Sequence, residues 1–188
     1  MQVAYKSSSI YLTETKRKKE CNMKNASQQY KELYEQMCQL CASEGWGDPF
    51  SYARGKEIYM ANAFNHQIWK AYSGPDGVDE AGECEYKSTI QSRIQGTYNG
   101  ISVQATWDEQ LAYLRDEKIA KYMHHYFGRF NKDSGTLEEA YVLTGDQVLD
   151  ILIPKLEKQY AKKASAKDPR LGASVSSTEI KKHGKKII

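Results

Sequence analysis

Between residues 26 and 44, Tyr30, Leu33, Tyr34, Met37, Leu40 and Cys41 recur every three or four positions, the repeat of one helix face. Gly45 and Gly47-Asp48-Pro49 end that repeat. A second helical pattern covers 53–72, with Ile58, Ala61, Phe64, Ile68 and Trp69 on one side; Glu57 shares a face with Ala61. From about 72 to 90 the period shortens to two, which predicts a hairpin. Gln91 to Gly100 is polar and punctuated by glycine, and reads as a loop. Ile101–Gln104 fits a short strand and Trp107–Glu117 a helix. Tyr122–Phe130 and Leu137–Leu143 fit strands around the turn Asn131-Lys132-Asp133-Ser134-Gly135. Thr144 can cap a helix running to about Lys163, interrupted or bent near Pro154. Lys167-Asp168-Pro169-Arg170-Leu171-Gly172-Ala173-Ser174 is turn-rich, and Ser177-Thr178-Glu179-Ile180 can begin a last short helix. No internal repeat is present. The mixture predicts an α/β (or α+β) fold, a central mixed β-sheet flanked by helices. Residues 1–24, rich in Ser and Lys, read as a flexible basic arm. Residues 25–188 read as a single domain with a basic C-terminal tail.

The predicted hairpin concentrates the chemistry. Alternate residues of a strand share a face, so Glu85 and Lys87 point the same way. A turn at Ala81-Gly82, flanked by Glu80 and Glu83, places Val78 opposite Glu85 and Asp76 opposite Lys87. Asp76, Glu85 and Lys87 then converge on one face. A slip of one residue would send Asp76 to the other face. Asp79 lies on that other face in the preferred register, and is the fallback ligand if the hairpin carries a bulge. Two carboxylates suit Mg²⁺, with Mn²⁺ as a substitute, since Mg²⁺ usually takes one or two protein carboxylates plus water. Bound metal acidifies its water and stabilises charge on phosphoryl oxygens. A lysine alongside can orient that water or neutralise the transition state. The same residues also fit a solvated hairpin with cross-strand ion pairs.

Pro75-Asp76, then Glu85-x-Lys87, then Ser88-Thr89 resembles the PD-(D/E)xK nuclease superfamily, which includes many type II restriction endonucleases. Arg54 through His66 is similar to the helix preceding the site in such enzymes. Tyr126-Phe127-Gly128-Arg129-Phe130, and Leu143 to Val148-Leu149 through Pro154-Lys155-Leu156, also look like their sequences. The resemblance spans roughly Trp46 to the C-terminus, and its specific part is the short motif. It implies a restriction-endonuclease-like fold. It also implies that Asp76 and Glu85 hold the metal, that Lys87 is the catalytic lysine and that Glu57 is an auxiliary acid.

The net charge of +3 is unevenly spread. Residues 1–30 carry six basic and two acidic groups, and residues 155–188 ten basic and three acidic, so the stretch between them carries a net −8. Basic ends suit a polyanion and an acidic middle suits a cation; terminal lysines also serve solubility alone. Lys181, Lys182, Lys185 and Lys186 are candidate phosphate contacts. Ser92, Arg93, Gln95, Tyr98 and Asn99, leading out of the Glu85-x-Lys87 strand, are candidate DNA contacts, since Arg, Gln and Asn read base edges; an ordinary loop is the alternative. Cys38-x-x-Cys41 lies in a helical pattern without a second Cys or His pair and reads as packing. His124 and His125 alternate on a strand and read as structural. Four cysteines, no apolar run long enough for a membrane and no secretory signal suggest the cytoplasm. The expected function is Mg²⁺-dependent cleavage of double-stranded DNA at a short specific site by a homodimer, whose symmetry would match a palindrome. A structure-directed repair or recombination nuclease and a non-catalytic DNA-binding module are the alternatives.

Overall fold

A computed structural model of the chain describes residues 7–71, 73–162 and 170–188, the side chains of 7–24 excepted. The start of the basic arm, the side chains of Lys16-Arg17-Lys18-Lys19 and the Lys167-Asp168-Pro169 turn segment lie outside the described residues. The chain divides into two units, Met1–Pro49 and Phe50–Ile188.

The first unit is built on one helix, α1 (Ser7–Glu44). Its backbone is already helical at Ser7, where the Ser/Lys composition suggested an arm. No Gly or Pro interrupts the span before Gly45. There φ turns to 72°, and the Trp46 N–H bonds the Cys41 carbonyl at 2.8 Å, closing the last turn. Tyr30, Leu33, Met37 and Leu40 remain exposed along this helix.

The second unit begins with α2 (Arg54–Phe64), which stops well short of residue 72. Asn65 takes a left-handed φ of 59° and donates its N–H to the Ala61 and Asn62 carbonyls. Asparagine tolerates this conformation, and it ends the helix. Gln67–Ile68 then form β1, followed by β2 (Gly77–Asp79) and β3 (Gly82–Thr89). The polar stretch after β3 contains β4 (Gly96–Ile101), earlier than the predicted strand at 101–104. Its glycines mask the inward positions, yet Tyr98 and Ile101 are both buried. Next come α3 (Trp107–Tyr113), capped by a reciprocal Thr106–Glu109 pair, and a π-helical turn (Leu114–Lys118). β5 (His124–Phe130) and β6 (Leu137–Thr144) lie where alternation placed them. Thr144 and Gln147 cap α4 (Gly145–Tyr160), which runs through Pro154 as one helix. β7 (Leu171–Val175) occupies the end of the expected turn region and pairs with β4 in a two-stranded sheet. α5 (Ser177–His183) and β8 (Lys185–Lys186) follow.

The main sheet has six strands in the order β1-β2-β3-β5-β6-β8. β3 and β5 are parallel and every other neighbouring pair is antiparallel. This is the expected mixed sheet, with helices on both sides. Met60 and Ala61 of α2 pack with Cys84, Tyr86, Tyr126 and Phe130. The larger core joins Phe127, Tyr141 and Leu143 of the sheet to Val148, Leu149, Leu152 and Leu156 of α4. β3 is therefore read from both sides: Cys84 and Tyr86 belong to the first core, and Glu85 and Lys87 project towards the second. Among the described residues no helix is long and apolar enough to cross a membrane.

Candidate active site

The β2–β3 turn falls at Glu80-Ala81, one residue earlier than the expected Ala81-Gly82. Gly77 pairs with Cys84, Val78 with Glu83 and Asp79 with Gly82. Relative to the expected register, β3 is displaced by two residues. Because side chains alternate with a period of two, the displacement preserves their faces. Asp76 still lies on the face of Glu85 and Lys87.

β2 is too short to cover β3 beyond Cys84, and Asp76 completes the edge. Its N–H bonds the Cys84 carbonyl at 3.0 Å, and its carboxylate accepts the Tyr86 N–H at 2.7 Å. Its own carbonyl accepts the Trp69 N–H at 3.2 Å, tying it to the β1 side. Arg54, buried in the first turn of α2, donates to the Trp69 carbonyl and to the Glu57 carboxylate. Gly74 takes φ +104°, a conformation that favours glycine. A Cβ there would also meet the Trp69 indole nitrogen at 3.3 Å. The loop carrying Asp76 is thus fixed at both ends and from beneath.

Three carboxylates and one ammonium share this place. Burial, followed by the Glu85 and Glu57 charges, pushes the Asp76 carboxyl up to about 7. Burial also raises Glu57, against the opposing pull of Arg54. Burial alone would lower Lys87, but Glu85, Asp76 and Glu57 outweigh it and hold the ammonium above its ordinary range. Lys87 donates to Glu85 and lies 5.1 Å from the centre of the Tyr98 ring. His125 secures that ring. Its Nε2 donates to the Ile119 carbonyl at 3.0 Å, which leaves Nδ1 to accept the Tyr98 hydroxyl at 2.8 Å. Burial lowers His125 to about 4, so the imidazole is neutral. Tyr98 is therefore a platform for Lys87; it is buried, with its hydroxyl committed to His125, and is unsuited to reading bases.

Two clefts meet at Asp76, Lys87 and Thr97. The first, about 260 Å³, is lined by Glu57, Ser88, Thr89 and Gln95. The second, about 590 Å³, is lined by Glu85, Asn99, Glu117, Lys118 and Lys121. Among the described residues no three His, Cys, Asp or Glu side chains form a ready metal cage. Asp76 and Glu85 could supply two oxygen donors towards open space, a donor set that suits Mg²⁺. With Lys87 beside them, the arrangement can neutralise an anion and orient a water molecule.

Asp79 is not a spare ligand. One of its oxygens accepts the Ala81 and Gly82 N–H groups at 2.7 and 3.1 Å. The other binds His124 at 2.7 Å and the Tyr126 hydroxyl at 2.8 Å. Burial raises this carboxyl, but the His124 and Tyr126 hydrogen bonds outweigh it, and the net shift is downward. On the same side, His66 bonds the Tyr86 hydroxyl at 2.9 Å. The two adjacent histidines, 124 and 125, have structural partners on opposite faces, as strand alternation suggests.

Ser92, Arg93, Gln95 and Asn99 are exposed, Gln95 at the first cleft and Asn99 at the second. The C-terminal lysines form no loose tail. Lys181 pairs with Glu139 at 3.0 Å, Lys182 is exposed, and Lys185 and Lys186 form the edge strand β8. That strand lies three spacings, about 14 Å, from β3. The sequence reading missed Arg54, Lys118 and Lys121. Arg54 carries a signal, three residues before Glu57 on a helix; Lys118 and Lys121 carry none that separates them from other surface lysines. No protein-family model matches this sequence, and neither does any curated protein.

Proposed function

We propose that the chain is a Mg²⁺-dependent type II restriction endonuclease of the PD-(D/E)xK kind, hydrolysing phosphodiester bonds in double-stranded DNA at a short specific site. One observation carries the reading. Asp76, Glu85 and Glu57 crowd around Lys87 at the junction of two open clefts, and burial, followed by the neighbouring acids, pushes Asp76 up to about 7. Such an acid cluster is poorly satisfied by one ammonium and well satisfied by a divalent cation, and perturbed carboxylates in clefts are candidates for function.

In this reading Asp76 and Glu85 hold Mg²⁺, with Mn²⁺ able to substitute. When bound, the ion would acidify a water and stabilise charge on the scissile phosphate. Lys87, steadied by Glu85 and the Tyr98 ring, positions the attacking water and offsets negative charge as the phosphorus gains a fifth oxygen. Glu57, raised by burial, can accept or return a proton at the rim of the first cleft. Ser92, Arg93, Gln95 and Asn99, all exposed, would be the residues that read base edges. A homodimer would present two such clusters to the two strands of a palindrome.

The test is incubation of the purified protein with supercoiled plasmid and Mg²⁺. Discrete fragments support a restriction enzyme. A smear, or cleavage confined to branched substrates, supports a repair nuclease. Retained binding without any cleavage supports a DNA-binding module and overturns the catalytic reading.

A further inference from the structure

The two clefts that meet at Asp76 and Lys87 differ in charge. In the first, among the described residues, Lys87 is the one cation in the lining, facing the acids Asp76 and Glu57 and neutral groups such as Ser88, Thr89 and Gln95. Beyond the shared Asp76 and Lys87, the second adds two cations, Lys118 and Lys121, against two acids, Glu85 and Glu117. The π-helical turn carries Glu117 and Lys118, and Lys121 follows three residues after it. Its wide hydrogen bond, Ile119 N–H to the Leu114 carbonyl at 2.7 Å, buries Leu114 and Ile119 and leaves 115–118 exposed. π-helical turns are rare, and they often occur at functional sites. The Lys121 ammonium rests 4.8 Å from the centre of the Tyr122 ring, which limits its freedom before any ligand arrives.

The same turn supports the lysine of the proposed catalytic cluster. Ile119 accepts the His125 ring N–H, His125 accepts the Tyr98 hydroxyl, and Tyr98 underlies Lys87. A group bound at Lys118 and Lys121 is therefore held in a fixed relation to Lys87. Two cations in a cleft beside a phosphodiester-cutting centre suit the next phosphates of the same strand. The first cleft, with neutral hydrogen-bonding side chains, suits base edges or water.

We propose that Lys118 and Lys121 form a phosphate-binding wall along which the backbone of the cleaved DNA strand leaves the site. This rests on reading the cluster as a nuclease centre. It gives the bound strand a direction: backbone through the second cleft, bases towards Gln95 at the first.

The experiment measures binding of a labelled random-sequence DNA duplex in Ca²⁺ without Mg²⁺, at several salt concentrations. Lys118→Gln/Lys121→Gln should bind roughly tenfold more weakly, with a log–log salt slope shallower by about 1.8, or roughly 0.9 per lost phosphate contact. Glu117→Gln should bind more tightly than wild type. Lys132→Gln, which removes an exposed charge from the β5–β6 turn, should match wild type. Curves for the double variant that superimpose on wild type overturn the wall, as does an equal loss in Lys132→Gln. Each single Gln variant, with half the slope change, repeats the comparison if the double variant fails a circular-dichroism check. Plasmid cleavage by the wild type is read separately. Lysine-dependent binding without cutting keeps the wall and removes the nuclease. Cutting with unaltered affinity in the double variant keeps the nuclease and removes the wall. A wild type that binds no duplex overturns both.

Discussion

Asp76, just before a short strand, and Asp79, at its end, are three residues apart, and their surroundings move them in opposite directions. Asp79 faces the aromatic side of the sheet, where two backbone N–H groups, His124 and Tyr126 satisfy it and its carboxyl falls below the usual value. Asp76 faces the clefts, where burial and two neighbouring acids raise it to about 7. One carboxylate stabilises the hairpin, and the other is stored at some cost to stability. The contrast separates folding from chemistry within a single hairpin, and it can be tested residue by residue.

The largest effect should come from Asp76→Asn, which on the proposed reading lowers plasmid cleavage by at least about a thousandfold. The same substitution should stabilise the metal-free protein at pH 8, by about 2–4 kcal/mol, because it removes a charge held against burial and like neighbours. Asp79→Asn should do the reverse. It weakens a buried, charge-assisted network and should cost about 1–3 kcal/mol of stability, while cleavage per folded molecule falls much less. Thermal unfolding and plasmid digestion of both variants decide the matter. If Asp76→Asn unfolds more easily than wild type, the comparison collapses.

The pH dependence follows with opposite signs. Asp76 has a folded pKa above its unfolded value, so the native state binds the extra proton between about pH 4 and 7. Its contribution to stability is best at low pH and is lost as pH rises through about 7. Asp79 has a depressed folded pKa, so its contribution is present above the ordinary aspartate range and is lost as pH falls through the folded value. In chelator, the stability difference between Asp76→Asn and wild type should therefore grow from pH 5 to pH 8. A difference independent of pH would remove Asp76 from this account.

Metal should act on one side only. Mg²⁺ or Mn²⁺ should raise the melting temperature of wild type and of Asp79→Asn, but not of Asp76→Asn. Saturation at a hundred times Kd corresponds to about 2.7 kcal/mol. Ca²⁺ should support DNA binding better than cutting, since its looser coordination positions water poorly. Full cleavage in excess chelator contradicts the proposed mechanism.

The smallest effect should be Tyr98→Phe. It keeps the ring beneath Lys87 but leaves His125 Nδ1 without its donor, which should cost about 1–2 kcal/mol of stability and lower cleavage only a few-fold. Tyr98→Leu, which removes the ring, should lower cleavage further at a similar stability. Equal cleavage in the two variants would show that the ring face does not steady Lys87.

Much of this contrast was legible in the sequence because strand alternation is robust. The register was displaced by two residues, yet Asp76, Glu85 and Lys87 stayed on one face and Asp79 on the other, since only an odd displacement changes faces. β5, β6 and α4 were legible from the strand pattern and from Thr144 as a cap, and α5 from Ser177-Thr178-Glu179-Ile180, although its cap, Ser176, was not read. What failed depended on tertiary pairing. The end of α2 depended on Asn65 adopting a left-handed turn within an otherwise helical pattern. β4 and β7 form a strand pair from glycine-bearing text that reads as loop and turn, because each supplies the other's hydrogen bonds. Tyr98 looked like a polar contact until the partner of its hydroxyl, His125, lay 27 positions away. The lysine-rich end looked like a tail, but β8 hydrogen-bonds to β6, so deleting 181–188 would strip an edge strand as well as charge.

The parallel pairing of β3 with β5 has a consequence for the order of folding. The hairpin carrying Asp76, Glu85 and Lys87 and the hairpin of β5 and β6 can each form locally, but joining them closes the segment between Thr89 and His124. Closure of so long a segment comes late, because its entropy is lost before the contacts are gained. His125, which holds the Tyr98 platform, arrives only with that step. A chain with both hairpins formed but undocked would have its acids in place and its lysine unsupported. Recovery of activity during refolding should therefore lag behind recovery of strand signal.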